Sequence, residues 1–188
     1  KQNCSDSDFY LELAVAKYAL NPNADAAYSI GKAYYKRKKY TESNKYFKEV
    51  VESSEDQDQL FESYQFLAVG MLNLGQPQSA KTYALKMIGI NPNSGEAYII
   101  IGNAYVKGKS DCGGDECKSR AAYWAAVDKF QKAKAVDADV ADKAQQLINS
   151  YSAQFPKKED CFFYGLTEGQ SFTLDCWIGE TTTVRTRD

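Results

Sequence analysis

The sequence predicts an all-α fold, a solenoid of antiparallel helix pairs, followed by a small antiparallel β meander at the C-terminus. The tripeptide NPN occurs at 21–23 and again at 91–93, 70 residues apart, and the stretches NPNADAAYSIGKAYYK and NPNSGEAYIIIGNAYVK are alike. That spacing is two units of about 35 residues, and the segment 61–92 supplies the middle unit with the same helix-turn-helix pattern. After Pro156 the hydrophobic period changes to two, which is typical of strands.

The helical elements follow in order along the first 156 residues, and residues 157–188 form the tail. The predicted array contains a partial repeat at 7–23, repeats at about 24–58, 61–94 and 95–138, and a terminal helix at 138–156. The terminal helix has Leu147, Ile148, Tyr151 and Phe155 on or near one face, and Pro156 ends it. A helix of this kind commonly caps an open stack of repeats.

The third repeat contains an insertion. Its turn should follow Gly108, but its second helix resumes near Ala121, so residues 109–120 are added at the turn between the helices. The insertion contains KSDCGGDECKS, with Cys112 and Cys117 around two glycines and two acids.

Four chemical readings of this loop are weak. Structural zinc needs four ligands, and the loop supplies a single C-x₄-C pair in a chain without histidine. A redox dithiol is normally C-x-x-C, and a calcium loop needs more alternating oxygen ligands than Asp111, Asp115 and Glu116 provide. GGDE resembles the signature of diguanylate cyclases, but no other part of that α/β fold is visible. The favoured interpretation is structural, either a Cys112–Cys117 disulfide clip or two thiols packed under the loop.

The tail is predicted to be a three-stranded meander over 157–188. A four-residue loop at 167–170 places Cys161 opposite Cys176, and a two-residue turn at Gly179-Glu180 places Cys176 opposite Thr183. Cys161 and Cys176 would then form a disulfide or remain two buried thiols. Cys4 is left over, either as a core thiol or as the partner of a residue further upstream.

Composition limits the function. The net charge is −2, which argues against a general nucleic-acid binder, and the longest apolar run, near 97–106, is too short to cross a membrane. The absence of histidine removes Ser-His-Asp and Cys-His catalysis and every His-ligated metal site. No convergent acid/base set is visible, so the sequence predicts no catalytic residue, no metal and no cofactor.

The repeats resemble the tetratricopeptide repeat, a 34-residue pair of antiparallel helices. Each pair carries small residues where its helices cross, with aromatic residues beside them. The small residues are Gly31 and Ser43, Ala68 and Ala80, and Gly102 and Ala126; Tyr34, Phe47, Tyr83, Tyr105 and Phe130 are among the aromatic ones. Small residues let the backbones approach and large ones fill the flanking gaps. The resemblance implies a right-handed α-α superhelix whose first helices line a concave binding face.

The family register places twelve exposed residues on that face. They are Tyr28, Lys32, Tyr35 and Lys36 in repeat one, Gln65, Val69, Leu72 and Asn73 in repeat two, and Ile99, Asn103, Val106 and Lys107 in repeat three. This mixed aromatic, aliphatic and cationic surface suits an extended peptide or a partner helix. The alternative is that its apolar members pack against a neighbouring repeat. Only Lys32 fits the carboxylate clamp of chaperone-binding members, so binding of chaperone tails is not predicted.

The insertion and tail together resemble an uncharacterised group of exported repeat proteins from Bacteroidetes-type bacteria. The stretches that carry this resemblance are CGGDECKSRAAYWAAVDKFQKAKAVD and FPKKEDCFFYGLTEGQSFTLDCWIGETTTVRTR. It implies export to the periplasm or cell surface, with any signal peptide upstream of Lys1, and it implies no known activity.

The sequence therefore predicts a non-catalytic scaffold that binds a protein or peptide through the concave face. The second hypothesis is a structural component of a cell-envelope complex that assembles, or self-associates, through the β tail. An enzyme is the third and weakest.

Overall fold

The computed structural model describes residues 8–187, and Cys4 lies outside them. The described chain is mainly helical and ends in a small antiparallel sheet, which confirms the predicted fold class. Its contacts divide into two compact units that part between Gly75 and Gln76.

The described residues of the first unit form four helices: α1 (Asp8–Leu20), α2 (Ala24–Lys36), α3 (Tyr40–Ser53) and α4 (Gln57–Asn73). Side chains cap two of them. The Asn23 carboxamide oxygen accepts from Ala26 N at 2.9 Å, and an Asp56 carboxylate oxygen accepts from Asp58 N at 2.9 Å. These caps satisfy backbone donors that the first turn of a helix leaves without partners.

The small residues in repeat one lie at the α2–α3 crossing. The Ser43 hydroxyl, fully buried on α3, donates to the Gly31 carbonyl of α2 at 3.0 Å. A Cβ added to Gly31 would lie 3.1 Å from the buried Phe47 ring. The two backbones approach closely because neither residue carries a large side chain at this point.

The second unit contains α5 (Pro77–Ile90), α6 (Gly95–Lys107), α7 (Ala121–Val136), α8 (Ala141–Ser152) and α9 (Lys158–Phe163). Helix α6 packs against both α5 and α7, and α8 packs against α7. Tyr151 of α8 stacks on the rings of Tyr123 and Phe130, with centroids 5.9 and 5.6 Å apart. Helix α8 thus covers one side of α7.

The insertion between α6 and α7 is compact. It contains two short 3₁₀ helices, Lys109–Cys112 and Lys118–Arg120, joined through Gly113 and Gly114, both of which have positive φ. The Asp115 side chain accepts from Cys117 N at 3.1 Å and Lys118 N at 2.8 Å. This turn directs Cys117 inward, where it is fully buried.

The predicted three-stranded meander is wrong. Residues 158–163 form α9, and two strands pair antiparallel, β1 (Ser171–Thr173) with β2 (Thr181–Thr183). Phe172 faces Thr182, so the turn predicted at Gly179-Glu180 does not form and Cys176 does not oppose Thr183. The physical reason is tertiary packing: residues 174–180 form a longer connection between the strands, closed by a hydrogen bond from Leu174 N to the Glu180 carbonyl at 2.9 Å, and Leu174 and Ile178 within it are both buried.

Candidate functional site

Eight of the twelve predicted binding residues lie in the first unit, on α2 and α4. We call Tyr28, Lys32, Tyr35, Lys36, Gln65, Val69, Leu72 and Asn73 the α2–α4 face. Lys36 and Asn73 are exposed, and the other six are half-buried.

Contacts between α2 and α4 join positions one repeat apart. The Gln59 carboxamide donates to the Asp25 carboxylate at 3.0 Å, and the Tyr28 hydroxyl donates to Glu62. Both pairs are separated by 34 residues. The first helices of two repeats are therefore held in register by side chains at equivalent positions. Sequence reasoning missed Glu62, although it lies one 34-residue repeat after Tyr28 and the repeat period could have identified it.

Phe66 organises the apolar part of the face. Its ring lies 4.8 Å from that of Tyr35 and stacks on Phe47 at 4.7 Å, measured between centroids. Phe47 is fully buried, so this stack connects the α2–α4 face to the core of the first unit. Burial raises the pKa of Tyr35, and the neighbouring Tyr40 adds to the effect. Sequence reasoning also missed Phe66, because it follows Gln65 and lies outside the family register for exposed positions.

Lys32 supplies positive charge beside these rings. Its Nζ lies 4.8 Å from the centroid of Tyr28 and 6.0 Å from that of Phe66, and donates to the Tyr28 hydroxyl at 3.3 Å. Burial and the hydrogen bond to Glu62 raise the pKa of Tyr28, so its phenol stays protonated at neutral pH. The cation is held against aromatic surface at a fixed position.

The four other predicted residues lie on α6 in the second unit. Asn103 and Val106 are half-buried and Lys107 is exposed, but Ile99 is 1% exposed. Ile99 is therefore not available to a partner, which corrects the prediction. The isoleucines at 99, 100 and 101 are all buried because α6 packs against α5, α7 and the two 3₁₀ helices at 109–112 and 138–140.

The four predicted half-cystines all form disulfides, but the pairing differs from both predicted pairs. Cys112 is bonded to Cys176, and Cys117 to Cys161, across 64 and 44 residues of chain. The insertion and the tail are therefore crosslinked to each other rather than each to itself. Burial of Cys117 and Cys161 brings α9 against the insertion. Among residues 8–187 no group of three or more acidic, cysteine or histidine side chains is arranged to hold a metal ion.

A polar network fixes the tail to α5, α6 and α7. Glu180 accepts from the Tyr105 hydroxyl at 2.6 Å and pairs with Lys129 Nζ at 2.8 Å. Lys81 Nζ donates to the Ile178 carbonyl at 2.6 Å and lies 5.3 Å from the Tyr105 ring centroid. The Trp177 indole donates to the Gly108 carbonyl at 3.2 Å.

This network shifts three pKa values. Burial raises the pKa of Tyr105, aided by its hydrogen bond to Glu180, and burial lowers that of Lys81. Burial alone would raise the pKa of Glu180, but the hydrogen bonds from Lys129 and Tyr105 and the nearby cations bring it below its ordinary value. The carboxylate is thus ionised and serves as the common partner of groups on two helices.

Comparisons with known proteins identify the architecture. Residues 24–57 match the family profile "Tetratricopeptide repeat", which spans α2 and α3. The TPR2B domain of yeast Sti1, solved in complex with pHsp70, superimposes with a TM-score of 0.57 at 23% identity, covering 70% of this chain and 97% of that one. The fold is that of tetratricopeptide repeat proteins.

A second solved structure has the same fold over more of the chain. The TPR2AB domains of yeast Sti1, in complex with pHSP90, superimpose with a TM-score of 0.56 at 23% identity, covering 77% of this chain and 53% of that one. No curated protein matches the sequence. Within residues 8–187, no helix has both the length and the apolar character that crossing a membrane requires.

Proposed function

We propose that the protein is a non-catalytic interaction scaffold that binds a peptide or protein segment on the α2–α4 face. The arrangement of Lys32, Tyr35 and Phe66 carries the proposal: a fixed cation lies beside aromatic rings that are anchored in the core. Aromatic residues are enriched at the centre of protein-binding sites, and the cation beside them can pair with an acidic group of a partner. The two Sti1 structures support the proposal because both are complexes of domains with the same fold, one with pHsp70 and one with pHSP90.

The first experiment identifies a ligand for this face. A random 12-residue peptide library is selected on the purified protein, and the affinity of enriched peptides is measured by isothermal titration calorimetry. Val69→Glu with Leu72→Glu should weaken binding at least tenfold, because both residues lie half-buried on the face.

Leu85→Glu is the control, since Leu85 is 49% exposed on α5 of the second unit and is not one of the residues of the α2–α4 face. It should leave the affinity unchanged. Circular dichroism checks that each variant remains folded. Equal binding by the double variant and the original protein would refute the assignment of this face.

A second candidate function is assembly through the tail. Phe162 and Phe163 of α9 are 80% and 82% exposed, although the preceding residue, Cys161, is buried and bonded to Cys117. Two adjacent exposed phenylalanines on a crosslinked helix are unusual for a surface that contacts only water. This favours self-association, or contact with a cell-envelope component, at α9.

Analytical ultracentrifugation tests this candidate. A concentration-dependent dimer that Phe162→Ser with Phe163→Ser abolishes would support self-association. A monomer at all concentrations would reject self-association. Contact of α9 with a cell-envelope component would then be the remaining form of this candidate.

We also propose that the protein is exported from a bacterial cell. The two disulfides support this, because disulfides persist mainly in oxidising compartments. The measurement is the number of free thiols in protein from each cell fraction. Thiols are alkylated before and after reduction, and the two counts are compared. Free Cys112, Cys117, Cys161 and Cys176 in a cytoplasmic fraction would overturn the proposal.

A further inference from the structure

A groove between α1 and α2 adjoins the α2–α4 face, with which it shares Lys32 and Lys36. Its volume is about 440 Å³, within the range of ligand-binding pockets. Leu11 and Ala14 of α1 and Ile30 and Ala33 of α2 form much of its apolar lining. Leu11 and Ile30 belong to the buried core, so the floor of the groove is a fixed part of the first unit.

The packing of residues 8–75 leaves room for one more helix here. Helix α3 packs against both α2 and α4, whereas the main packing of α1 is against α2. The side of α1 beside the groove stays open: Tyr10, which lines the groove, is 54% exposed, and Phe9 and Leu13 are 76% and 56% exposed. A helix placed along α1 and α2 would contact two helices, as α3 does.

The charges at the groove have one sign. Of the described residues that line it, Lys17, Lys32 and Lys36 are the ones that carry charge. Two carboxylates of the first unit are engaged elsewhere: Asp8 pairs with Arg37 at 3.2 Å, and Glu49 accepts from the Tyr18 hydroxyl. The hydrogen bond to Glu49 raises the pKa of Tyr18 to about 12, so this phenol remains neutral.

We infer that the α1–α2 groove binds an amphipathic helix with an acidic polar side, supplied by a partner protein. This rests on the proposed function as an interaction scaffold and names a partner class for it. The apolar side of the helix would cover the groove floor, and its carboxylates would face the three lysines. Lys32 and Lys36 are one helical turn apart, so acidic residues at i and i+4 of the ligand match their spacing.

The experiment uses two designed 16-residue peptides with the same leucines at i, i+3, i+4 and i+7. The polar positions are glutamate in one and lysine in the other. Fluorescence anisotropy should show that the acidic peptide binds at least tenfold more tightly than the basic one. Raising the salt concentration should weaken the acidic peptide's binding, because salt screens exposed charges.

A groove variant and a matched control locate the binding. Ala14→Glu with Lys17→Glu places two carboxylates on the α1 side of the groove and should weaken acidic-peptide binding at least tenfold. Lys48→Glu with Ala135→Glu makes the same change in net charge at exposed positions of α3 and α7, and should have no effect. Circular dichroism and unfolding midpoints confirm that both variants are folded.

The outcomes separate this inference from the proposed function. Equal affinity for the two peptides, or equal loss in the groove variant and the control, overturns the groove assignment. If the double substitution Val69→Glu with Leu72→Glu still weakens the binding of library-selected peptides, the proposed function stands even though the groove assignment is overturned. A dimer that dissociates in the groove variant would assign the groove to a second copy and overturn the partner assignment.

Discussion

Gly102 of α6 has no room for a side chain. A Cβ at this position would lie 2.4 Å from Cε1 of the fully buried Phe130 ring, so the ring or the helix backbone would have to shift. We predict that Gly102→Ala lowers the free energy of unfolding by about 1–3 kcal/mol through overpacking, measured by urea denaturation.

Gly89 of α5 is the matched control. No atom lies within 4 Å of a Cβ added there, so Gly89→Ala keeps the helix and removes only glycine's backbone freedom. It should leave stability unchanged or raise it by up to about 1 kcal/mol. Equal effects of the two substitutions would contradict the close approach of α6 and α7 at Gly102.

Single positions of this kind were predictable from the sequence. The repeat period places Gly31 and Gly102 at helix crossings, and the structure finds an aromatic ring against each, Phe47 and Phe130. The period could not predict Ile99's burial, because that depends on how many elements surround α6. Nor did it identify Phe66, whose contacts come from two different helices.

At the scale of the element, one ionised carboxylate of the tail, Glu180, joins it to both α6 and α7. Glu180→Gln leaves Lys129 without its partner and weakens the hydrogen bond from Tyr105. We predict a loss of about 1–2 kcal/mol at pH 7, measured by urea denaturation at several pH values. Glu52→Gln, at an exposed position on α3, is the control and should have little effect.

The effect of Glu180→Gln should depend on pH. The folded pKa of Glu180 is below its ordinary value, so its contribution is present above the unfolded pKa of about 4.3. That contribution is lost as the pH falls through the folded pKa, since the wild-type side chain then also becomes neutral. The difference between wild type and variant should therefore shrink below about pH 4. If the stability difference stays constant down to pH 2, it comes from packing and not from the charge of Glu180.

The two disulfides should differ in their reactivity. Cys117 and Cys161 are 0% and 1% exposed, whereas Cys112 and Cys176 are half-buried and line a groove of about 190 Å³ with Gly113 and Phe172. We predict that a water-soluble phosphine reduces Cys112–Cys176 first. Timed alkylation and mass spectrometry give the order, and the same reduction in urea, where both disulfides are accessible, should remove the difference. Earlier reduction of Cys117–Cys161 would contradict this burial.

The tail was the least predictable element. Its alternation of apolar residues fits a strand and equally fits a short helix such as α9, because a brief apolar run does not distinguish them. The disulfide pairing depends on contacts across 44 and 64 residues, which local turn geometry cannot supply. Cysteine count indicated which residues bond, but only packing determines their partners.

At the scale of the whole molecule, the tail is part of the second unit's core. Leu174, Ile178 and Val184 are all buried, and the tail is bonded to the insertion through both disulfides. Deleting residues 157–188 removes these buried side chains and the polar contacts of the tail with α5, α6 and α7. It also removes the partners of Cys112 and Cys117.

The deletion should therefore damage the two units unequally. We predict that hydrogen–deuterium exchange rises in α6 and α7, while α2, α3 and α4 keep their protection, because their main packing partners belong to the first unit. The control is the chain carrying Phe162→Ser and Phe163→Ser, which changes the exposed face of α9 and leaves the tail in place. Unchanged protection in α6 and α7 after deletion would mean that the tail is an appendage, and equal loss in both units would mean that the chain unfolds as one cooperative body.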